Sequence, residues 1–444
     1  MSSLPATDAL VAGALDKARS VERVGKVAEA YGTLIRATGL KASIGELCEL
    51  RNPPGEGPAG FRLPAEVVGV SRQHTLLTPL GALDGVSANT EVYASGRQAT
   101  IGAGDALLGR VLDAHGAPID DRGKLRGLAE APIYAPSPNP LGRKLIERPF
   151  STGVRAIDTV LSVGEGQRLG IFAVAGGGKS TLMGMLARGG DADVNVIVLV
   201  GERGREVNEF ILDNLGPEGL ARSVVVVATS DRPALERSRA AWVGTAIAEH
   251  FRDRGKRVLL LLDSVTRFAR ALRDVGLAVG EPPARRGYPP SVFSALPGLF
   301  ERAGNNDKGS ITAFYTVLME DEDGSDPIAE EVRSILDGHV VLSRKLAAAY
   351  HYPAIDVLSS LSRTMPRVVD PAHQRAAGQL RKYLAKHQDI ELLLQLGEYQ
   401  RGSDPDADIA IDRIGPIRQL LQQPAAELVP FEQSAAALRK LFPS

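Results

Sequence analysis

The sequence lacks several features, and each absence argues against a class of protein. Its 444 residues include a single cysteine, Cys48, so no disulfide can form within the chain, which fits a reducing cytosol. Aromatic residues make up only 5% of the chain, and the net charge of −1 argues against a protein whose main task is to grip nucleic acid. No apolar run approaches the roughly 20 residues of a membrane span, and the N-terminus has no signal-peptide pattern. We therefore expect a cytoplasmic protein without a membrane-spanning segment.

The composition that remains is that of an ordinary globular protein, with 44% apolar and 24% charged residues. Its length predicts two or three domains. Short apolar segments separated by Gly, Pro and Asn turns between residues 21 and 95 predict a small closed β-barrel. Leucines at helical spacing predict helices over 371–444. Residues 1–20 are interpreted as a frayed terminal helix, with an oligomerisation or docking segment as the alternative.

Residues 151–365 alternate between apolar strand patterns and helical patterns. This alternation predicts a mostly parallel, doubly wound α/β sheet, in which ligands bind at the carboxyl ends of the strands. A cluster of prolines just before this region predicts an extended connector. The predicted strands are 168–174, 194–200, 223–228, 257–262, 310–318 and 340–343. The predicted helices are 179–188, 205–214, 232–253 and 264–275.

Between a strand pattern and a helix pattern lies the glycine-rich stretch Ala173-Val-Ala-Gly-Gly-Gly-Lys-Ser-Thr181. Three successive glycines let backbone N–H groups point inward, and the following helix places its positive end against a phosphate. Lys179 can reach the β- and γ-phosphates, and the Ser180 hydroxyl can ligate Mg²⁺. Ala173 stands where the usual pattern has its first glycine, but a strand end accommodates alanine. The context favours a phosphate-binding loop over a glycine-rich turn of some other α/β protein.

Two acidic residues follow other strand patterns. Asp263 ends an apolar strand 84 residues after Lys179 (263 − 179), and it matches the magnesium-side carboxylate of phosphate-loop NTPases. Glu202 follows the strand at 194–200 and could orient and deprotonate an attacking water. Arg203 could hold phosphate charge as a fork-shaped donor. The alternative for this second segment is a solvated charge run before a helix.

In these motifs the chain resembles the catalytic subunit of rotary, F1-type hexameric ATPases. The resemblance covers nearly the whole chain in order, and Asp326–His339 is similar to the protein-export branch. The acidic segment of ATP synthase β chains is not found in the C-terminal region. Type III secretion ATPases are the nearest in resemblance, and flagellar export ATPases are the near neighbours. Further motifs that carry the resemblance are Gly287-Tyr-Pro-Pro-Ser291, Tyr352-Pro-Ala-Ile-Asp356 and Ser362-Arg363.

The resemblance implies a RecA-like phosphate-loop core with an N-terminal small β-barrel and a C-terminal helical domain. The implied domains are residues 1–95 for ring formation and regulator binding, 96–370 for nucleotide binding and hydrolysis, and 371–444 for contacts with cargo, chaperones and a stalk.

The same resemblance implies the site residues. Glu202 would be the general base, and Arg363 would be an arginine finger that reaches into a neighbouring subunit's site. Tyr352 would stack on adenine, and Asp263 would hold Mg²⁺ together with Ser180. The plainer alternatives are a core tyrosine at 352 and a surface arginine at 363. The full nucleotide-binding set implied is Ala175, Gly176, Gly177, Gly178, Lys179, Ser180, Thr181, Arg203, Arg267 and Tyr352.

For function, the resemblance implies ATP and Mg²⁺ as cofactors and a homohexamer that powers protein export, releasing and unfolding cargo. The implied partners are a central coiled-coil stalk protein, a peripheral stalk regulator, chaperone–effector complexes and a membrane export gate. The protein would then lie in the cytoplasm, at the inner face of the bacterial inner membrane.

Four alternatives remain open at this point. They are a flagellar export ATPase, an ATP synthase β chain, a Rho-type hexameric RNA translocase and a noncatalytic scaffold subunit. The neutral charge and the aromatic-poor barrel disfavour the RNA translocase, and no nucleic-acid partner is expected. Glu202 disfavours the noncatalytic subunit, since such subunits have glutamine at this position.

Overall fold

The computed structural model of the chain describes residues 23–58, 60–174, 176–319 and 326–443. These residues fall into two compact units: the chain up to Ala99 with Leu277–Glu281, and Thr100–Gly276 with the chain from Pro282 onward. No described helix is long and apolar enough to cross a membrane. The terminal helix predicted for residues 1–20 lies outside the described residues.

Six antiparallel strands close into a barrel in the first unit, in the order β1-β2-β5-β4-β3-β6. Side chains alternate along β3, where Glu46, Cys48 and Leu50 are buried and the residues between them are half-buried. Burial raises the pKa of the Cys48 thiol to about 12. Closure pairs β1 with β6, so each barrel strand has a partner on both sides, and the predicted barrel is confirmed. The strands are β1 Arg23–Tyr31, β2 Leu34–Thr38, β3 Glu46–Arg51, β4 Arg62–Val70, β5 Thr75–Pro79 and β6 Glu91–Gln98.

The second unit is built on a nine-stranded sheet of order β19-β18-β12-β17-β15-β13-β14-β8, with β16 paired to β17. The seven strands from β18 to β8 run parallel, whereas β19 and β16 are antiparallel to their neighbours. Two short two-stranded sheets, β7 with β9 and β10 with β11, complete the unit. The strands are β7 Thr100–Ala103, β8 Arg110–Asp113, β9 Ala129–Pro132, β10 Pro149–Phe150, β11 Val163–Gly164, β12 Arg168–Ala173, β13 Val194–Val200, β14 Ser223–Ala228, β15 Arg257–Asp263, β16 Gly304–Asn305, β17 Ser310–Leu318, β18 Gly338–Leu342 and β19 Ile355–Ser362.

The predicted parallel sheet is confirmed, and its central strands are continuous apolar runs because both faces are covered. The edge strands β8 and β19 lie outside the six predicted strands. β8 has only four residues, and β19 alternates buried and exposed residues. The carboxyl ends of β12, β13 and β15 lie at one edge of the sheet, which we call the carboxyl edge. The opposite edge, at which these strands begin, is the amino edge.

Helices follow most of the parallel strands. The predicted helix 205–214 differs from the structure, in which α3 ends at Glu209 and a π-helical segment, Phe210–Leu215, follows. Gly216 has a φ of 67°, outside the right-handed helical region, so the helical backbone ends after Leu215. The helices are α1 Arg155–Val160, α2 Lys179–Gly189, α3 Gly204–Glu209, α4 Gly216–Ala221, α5 Ala234–Arg252, α6 Val265–Ala278, α7 Pro290–Phe300, α8 Pro327–Ile335, α9 Arg344–Ala348, α10 Met365–Val368, α11 Pro371–Leu396, α12 Pro405–Leu421 and α13 Phe431–Leu441.

Two of the three C-terminal helices, α11 and α12, begin at an aspartate cap. Asp370 accepts a hydrogen bond from the N–H of His373 at 2.8 Å, and Asp404 accepts from the N–H of Asp406 at 3.0 Å. Buried side chains of α11, α12 and α13 belong to the same hydrophobic core as those of the central sheet. This helical segment is therefore packed beside the sheet that carries the phosphate loop.

A buried ion pair joins α5, which carries Glu249, to Arg302, which follows α7. Arg302 is fully buried, and its Nε donates to Glu249 Oε1 at 3.1 Å. A second donor of the guanidinium bonds the carbonyl of Ile133 at 2.6 Å, and the group lies 5.8 Å from the ring of Trp242. Arg252 lies at the limit of ion-pair distance from Glu249, at 4.0 Å.

We expect Arg302→Met to destabilise this unit by about 3 kcal/mol, because it leaves the Glu249 carboxylate buried with only the distant Arg252 cation. Urea unfolding followed by the fluorescence of Trp242, the only tryptophan in the sequence, measures the effect. The control is Arg302→Met combined with Glu249→Gln, which should regain part of the stability. Equal losses in the single and double variants would contradict this account.

Candidate active site

The phosphate loop joins β12 to α2, and its backbone requires glycine. Gly176 and Gly178 have φ of 85° and 81°, in the left-handed region that disfavours other residues. A Cβ added at Gly177 would lie 3.3 Å from the carbonyl oxygen of Val174. Ala175 lies outside the described residues. The loop therefore delivers the positive N-terminal end of α2 to the carboxyl edge, as a bound phosphate requires.

Lys179, the first residue of α2, is held between two buried carboxylates. Its Nζ lies 2.5 Å from Asp263 Oδ1 and 3.3 Å from Glu202 Oε1. Asp263 ends β15 and is 3% exposed, and Glu202 follows β13 and is 6% exposed. The Thr316 hydroxyl of β17 donates to the same Asp263 oxygen at 2.6 Å. Three separate strands thus place one cation and two anions at a single point.

The second oxygen of Glu202 faces Arg267. Nη1 of Arg267 lies 2.6 Å from Glu202 Oε2 and also donates to the carbonyl of Gly201 at 2.6 Å. The pKa of the Glu206 carboxyl is lowered, chiefly by a hydrogen bond with the Glu202 carboxyl and then by the charges of Arg203 and Arg267. Glu202 therefore has a fixed orientation, with cations on both of its oxygens.

The remaining predicted residues lie in different surroundings. Ser180 and Thr181 lie in the first turn of α2, where both are exposed. The side chain of Arg203 is 77% exposed and forms an ion pair with Glu206 at 3.6 Å. The structure therefore brings Lys179, Glu202, Asp263 and Arg267 together and leaves Arg203 at the surface.

Arg363 lies at the opposite end of the sheet from the phosphate loop. β19 is antiparallel to β18, with Ser362 opposite Gly338 at the start of β18. Because β18 is parallel to β12, Arg363 follows β19 at the amino edge, whereas the loop follows β12 at the carboxyl edge. Six residues of β12 separate the two edges by about 20 Å at 3.3 Å per residue. Arg363 is exposed there.

A cavity of about 800 Å³ opens beside the phosphate loop. The ring of Tyr352 lies on its wall, 40% exposed and in edge-to-face contact with Tyr350 at 5.7 Å. A Cβ added at Gly178 would lie 3.6 Å from the Tyr352 ring. The cavity therefore offers an aromatic plane next to the loop. Other lining residues are Arg155, Thr181, Leu182, Met185, Leu342, Pro353, Ala354, Gln419, Gln422, Gln423, Pro424 and Ala425.

Some residues of this region are absent from the sequence-based set. Thr316 and Tyr350 sit close to motifs that the sequence displays, since Thr316 lies near the end of a predicted strand and Tyr350 precedes Tyr352 by two residues. Gln419 and Gln422 come from the C-terminal helical segment, and only tertiary packing brings them to the cavity. No local pattern in the sequence marks these glutamines.

A parallel sheet with a glycine loop, a loop lysine and two strand-end carboxylates defines the class of phosphate-loop NTPases. The sequence profile of the ATP synthase alpha/beta family, nucleotide-binding domain, matches residues 153–362. The profile of the T3SS EscN ATPase C-terminal domain matches residues 369–440.

Similar proteins agree with these profiles. The chain is 59% identical over 416 residues to the type 3 secretion system ATPase of Xanthomonas euvesicatoria, covering 94% of this chain and 93% of that protein. It is 48% identical over 422 residues to the flagellum-specific ATP synthase of Bacillus subtilis, covering 95% and 96%. Among solved structures, the assembled ATPase EscN from the enteropathogenic E. coli type III secretion system matches with a TM-score of 0.88 at 48% identity, covering 94% and 99%. EscN in complex with its central stalk EscO matches with a TM-score of 0.86, with the same identity and coverage.

The chain belongs to the type III secretion ATPases of the ATP synthase alpha/beta family. It is an ATPase with the F1-type fold, in which an N-terminal β-barrel, a nucleotide-binding α/β domain and a C-terminal helical segment follow one another. The family, fold class and enzyme class expected from the sequence are confirmed.

We expect the affinity for ATP to depend on an aromatic ring at position 352. Tyr352→Ala should raise the KM for ATP about tenfold, because it removes a surface on which a base can stack. Tyr352→Phe keeps the ring and should leave KM close to that of the wild type. Steady-state hydrolysis at varied ATP concentration measures both. Equal increases in the two variants would instead assign the contribution to the hydroxyl.

Proposed function

We propose that this ATPase is the motor of a type III secretion system, working as a homohexamer that couples ATP hydrolysis to protein export. The observation that carries the catalytic part is the buried Glu202 carboxylate, 3.3 Å from the loop lysine and oriented by Arg267. The export part is supported by the similarity to type 3 secretion system ATPases and by the matching C-terminal profile.

In this proposal the loop glycines Gly176, Gly177 and Gly178, together with Lys179, hold the phosphates of ATP. Lys179 then exchanges its contacts with the two carboxylates for charge-assisted contacts with phosphate oxygens. Glu202, freed on one oxygen and still held by Arg267 on the other, orients the attacking water and accepts its proton. Thr181 and Arg203 complete the phosphate-binding set, with Arg203 placed at its exposed rim.

Mg²⁺ is proposed to be bound together with the nucleotide. The Ser180 hydroxyl and the Asp263 carboxylate would hold it, and their oxygen atoms suit this hard cation. Among the described residues, no group of three or more His, Cys, Asp or Glu side chains could hold a metal ion alone, which fits a cation completed by phosphate oxygens. When bound, Mg²⁺ neutralises charge on the β- and γ-phosphates.

Arg363 is proposed to act in a neighbouring subunit. Its distance from its own phosphate loop is about the length of β12, roughly 20 Å, which is too far for a guanidinium to reach. An exposed arginine at the amino edge is instead available to another chain, and its permanent planar charge suits transition-state phosphate oxygens. The solved EscN structure is of the assembled ATPase, which supports a ring in which each site lies between subunits.

The other partners follow the same proposal. The stalk complex of EscN supports a central coiled-coil stalk protein as a partner. We assign residues 1–95 to ring formation and a peripheral stalk regulator, 96–370 to ATP hydrolysis, and 371–444 to stalk and chaperone–effector contacts. The ring would work in the cytoplasm, beside a membrane export gate at the inner face of the inner membrane.

A flagellar export ATPase is the second candidate, because flagellar relatives also align over nearly the whole chain. The higher identity of the secretion relative, 59% against 48%, favours the secretion system. The membrane complex that co-purifies with the chain decides between the two, since recovery of flagellar basal-body components would contradict the secretion assignment.

Glu202→Gln should abolish chemistry and spare binding. The change is nearly isosteric but removes the charge that accepts a proton, so turnover should fall by about 10²–10⁴-fold while nucleotide still binds. Steady-state turnover and binding of a fluorescent ATP analogue measure the two effects. Glu209→Gln, on an exposed residue of α3 that pairs with Arg205, is the matched control and should keep its turnover. Near-wild-type hydrolysis by Glu202→Gln would exclude Glu202 as the base.

Mixed rings test the trans-acting arginine. Arg363→Ala should lower turnover by about 10³–10⁵-fold, because the transition state in the neighbouring subunit's site loses the guanidinium that stabilises it. Rings that mix Arg363→Ala with Glu202→Gln should regain part of the activity, because one kind of interface then has an intact base and an intact finger. ATP hydrolysis is measured across mixing ratios after subunit exchange. Verified mixed rings without recovered activity would rule out the trans-acting role.

A further inference from the structure

One buried amide side chain joins three segments at the amino edge of the sheet. Gln167 is fully buried and directly precedes β12. Its Oε1 accepts hydrogen bonds from the N–H of Gly164 at 2.9 Å and from the Thr364 hydroxyl. Its Nε2 donates to the carbonyl of Asp337 at 3.1 Å and to the Ser362 hydroxyl at 3.1 Å. This amide therefore uses two donors and two acceptor positions, its full capacity.

The bonded residues enclose Arg363. Ser362 and Thr364, one on each side of it, both bond the Gln167 amide. The N–H of Arg363 itself donates to the carbonyl of Asp337 at 3.0 Å, the same oxygen that the amide bonds. Three hydrogen bonds, at residues 362, 363 and 364, therefore hold the backbone at this position, and Arg363 itself is exposed.

The carbonyl that both groups share belongs to a residue that is itself held. The Asp337 carboxylate forms an ion pair with Arg168, Oδ2 lying 3.1 Å from Nε. Glu301 contacts the same guanidinium at 2.5 Å. These contacts lie at the start of β12, so the amide is part of a network of hydrogen bonds and ion pairs at the amino edge.

We propose that Gln167 is a positioning residue for Arg363, and that it sets the geometry of the neighbouring subunit's active site without touching nucleotide. This inference rests on the trans-acting role proposed above for Arg363. Gln167 lies at one end of β12 and the phosphate loop at the other. One six-residue strand therefore connects the nucleotide site of a subunit to the arginine that acts in the neighbouring site.

Gln167→Met tests the proposal, because it keeps the length of the side chain and removes all four hydrogen bonds. Turnover should fall by about 10²-fold, a loss that misplacing a catalytic group by about 1 Å can cause. Binding of a fluorescent ATP analogue should persist, since Lys179 lies at the far edge. A buried amide also stabilises the fold, so the deciding measurement is complementation in mixed rings.

If Gln167 acts through Arg363, mixed rings should recover activity with some partner variants and not with others. Gln167→Met mixed with Glu202→Gln should regain activity, because one kind of interface pairs an intact base with an intact Gln167 and Arg363. Gln167→Met mixed with Arg363→Ala should not, because every finger in that ring is displaced or missing. Any other pattern among verified mixed rings overturns the proposal; recovery with Arg363→Ala would place Gln167 in its own subunit's site.

Two further variants and one mixture are the controls. Asn195→Leu removes another buried amide at the amino edge, whose Nδ2 bonds the carbonyl of Ala187 at 2.8 Å, and it should keep its turnover. An equal loss in this variant would overturn the proposal. If Gln167→Met fails to assemble, Thr364→Val removes one hydrogen bond of the amide and should show the same pattern more weakly. No recovery in the Arg363→Ala and Glu202→Gln mixture would reject the trans role itself, and this inference with it.

Discussion

The active site depends on the cost of burying two carboxylates at the end of an apolar sheet. Asp263 and Glu202 are only 3% and 6% exposed, and an unpaired charge at such a depth is strongly unfavourable. Lys179 and Arg267 supply the compensating cations. The site is therefore electrostatically balanced without nucleotide. In the proposed mechanism a polyphosphate replaces the two carboxylates as the ion partner of the lysine.

The charged groups of this site come from separate strands. Lys179 follows β12, Glu202 follows β13 and Asp263 ends β15, and in a parallel sheet these positions share one edge. Thr316 on β17 adds a neutral donor to Asp263 from the strand between β12 and β15. Parallel topology thus brings four residues that are distant in sequence into one cluster. The strands that carry them are buried and apolar.

Local pattern was enough to predict the loop with Lys179, the central strands and Asp263, because each is marked by residues adjacent in sequence. The roles expected for Glu202 and Arg267 came from the family resemblance, since the local alternative for the Glu202 segment was a solvated charge run. Other features depend on pairing between distant segments. The position of Arg363 at the amino edge follows from the antiparallel register of β19 on β18, which no local pattern encodes. The exposure of Arg203, the support that Gln167 gives to position 363, and the approach of Gln419 to the cavity likewise depend on tertiary contacts. The π-helical segment after α3 is a local distortion that helical periodicity does not reveal.

The lone cysteine has a practical consequence. Cys48 is 3% exposed inside the barrel, and burial raises the pKa of its thiol to about 12, so the thiol stays protonated near neutral pH. Thiol reagents therefore have almost no native target in the folded chain. Cysteines introduced at the sheet edges can be labelled or cross-linked in the otherwise natural protein. Distances across a subunit boundary of the proposed ring can then be measured without first removing a native cysteine.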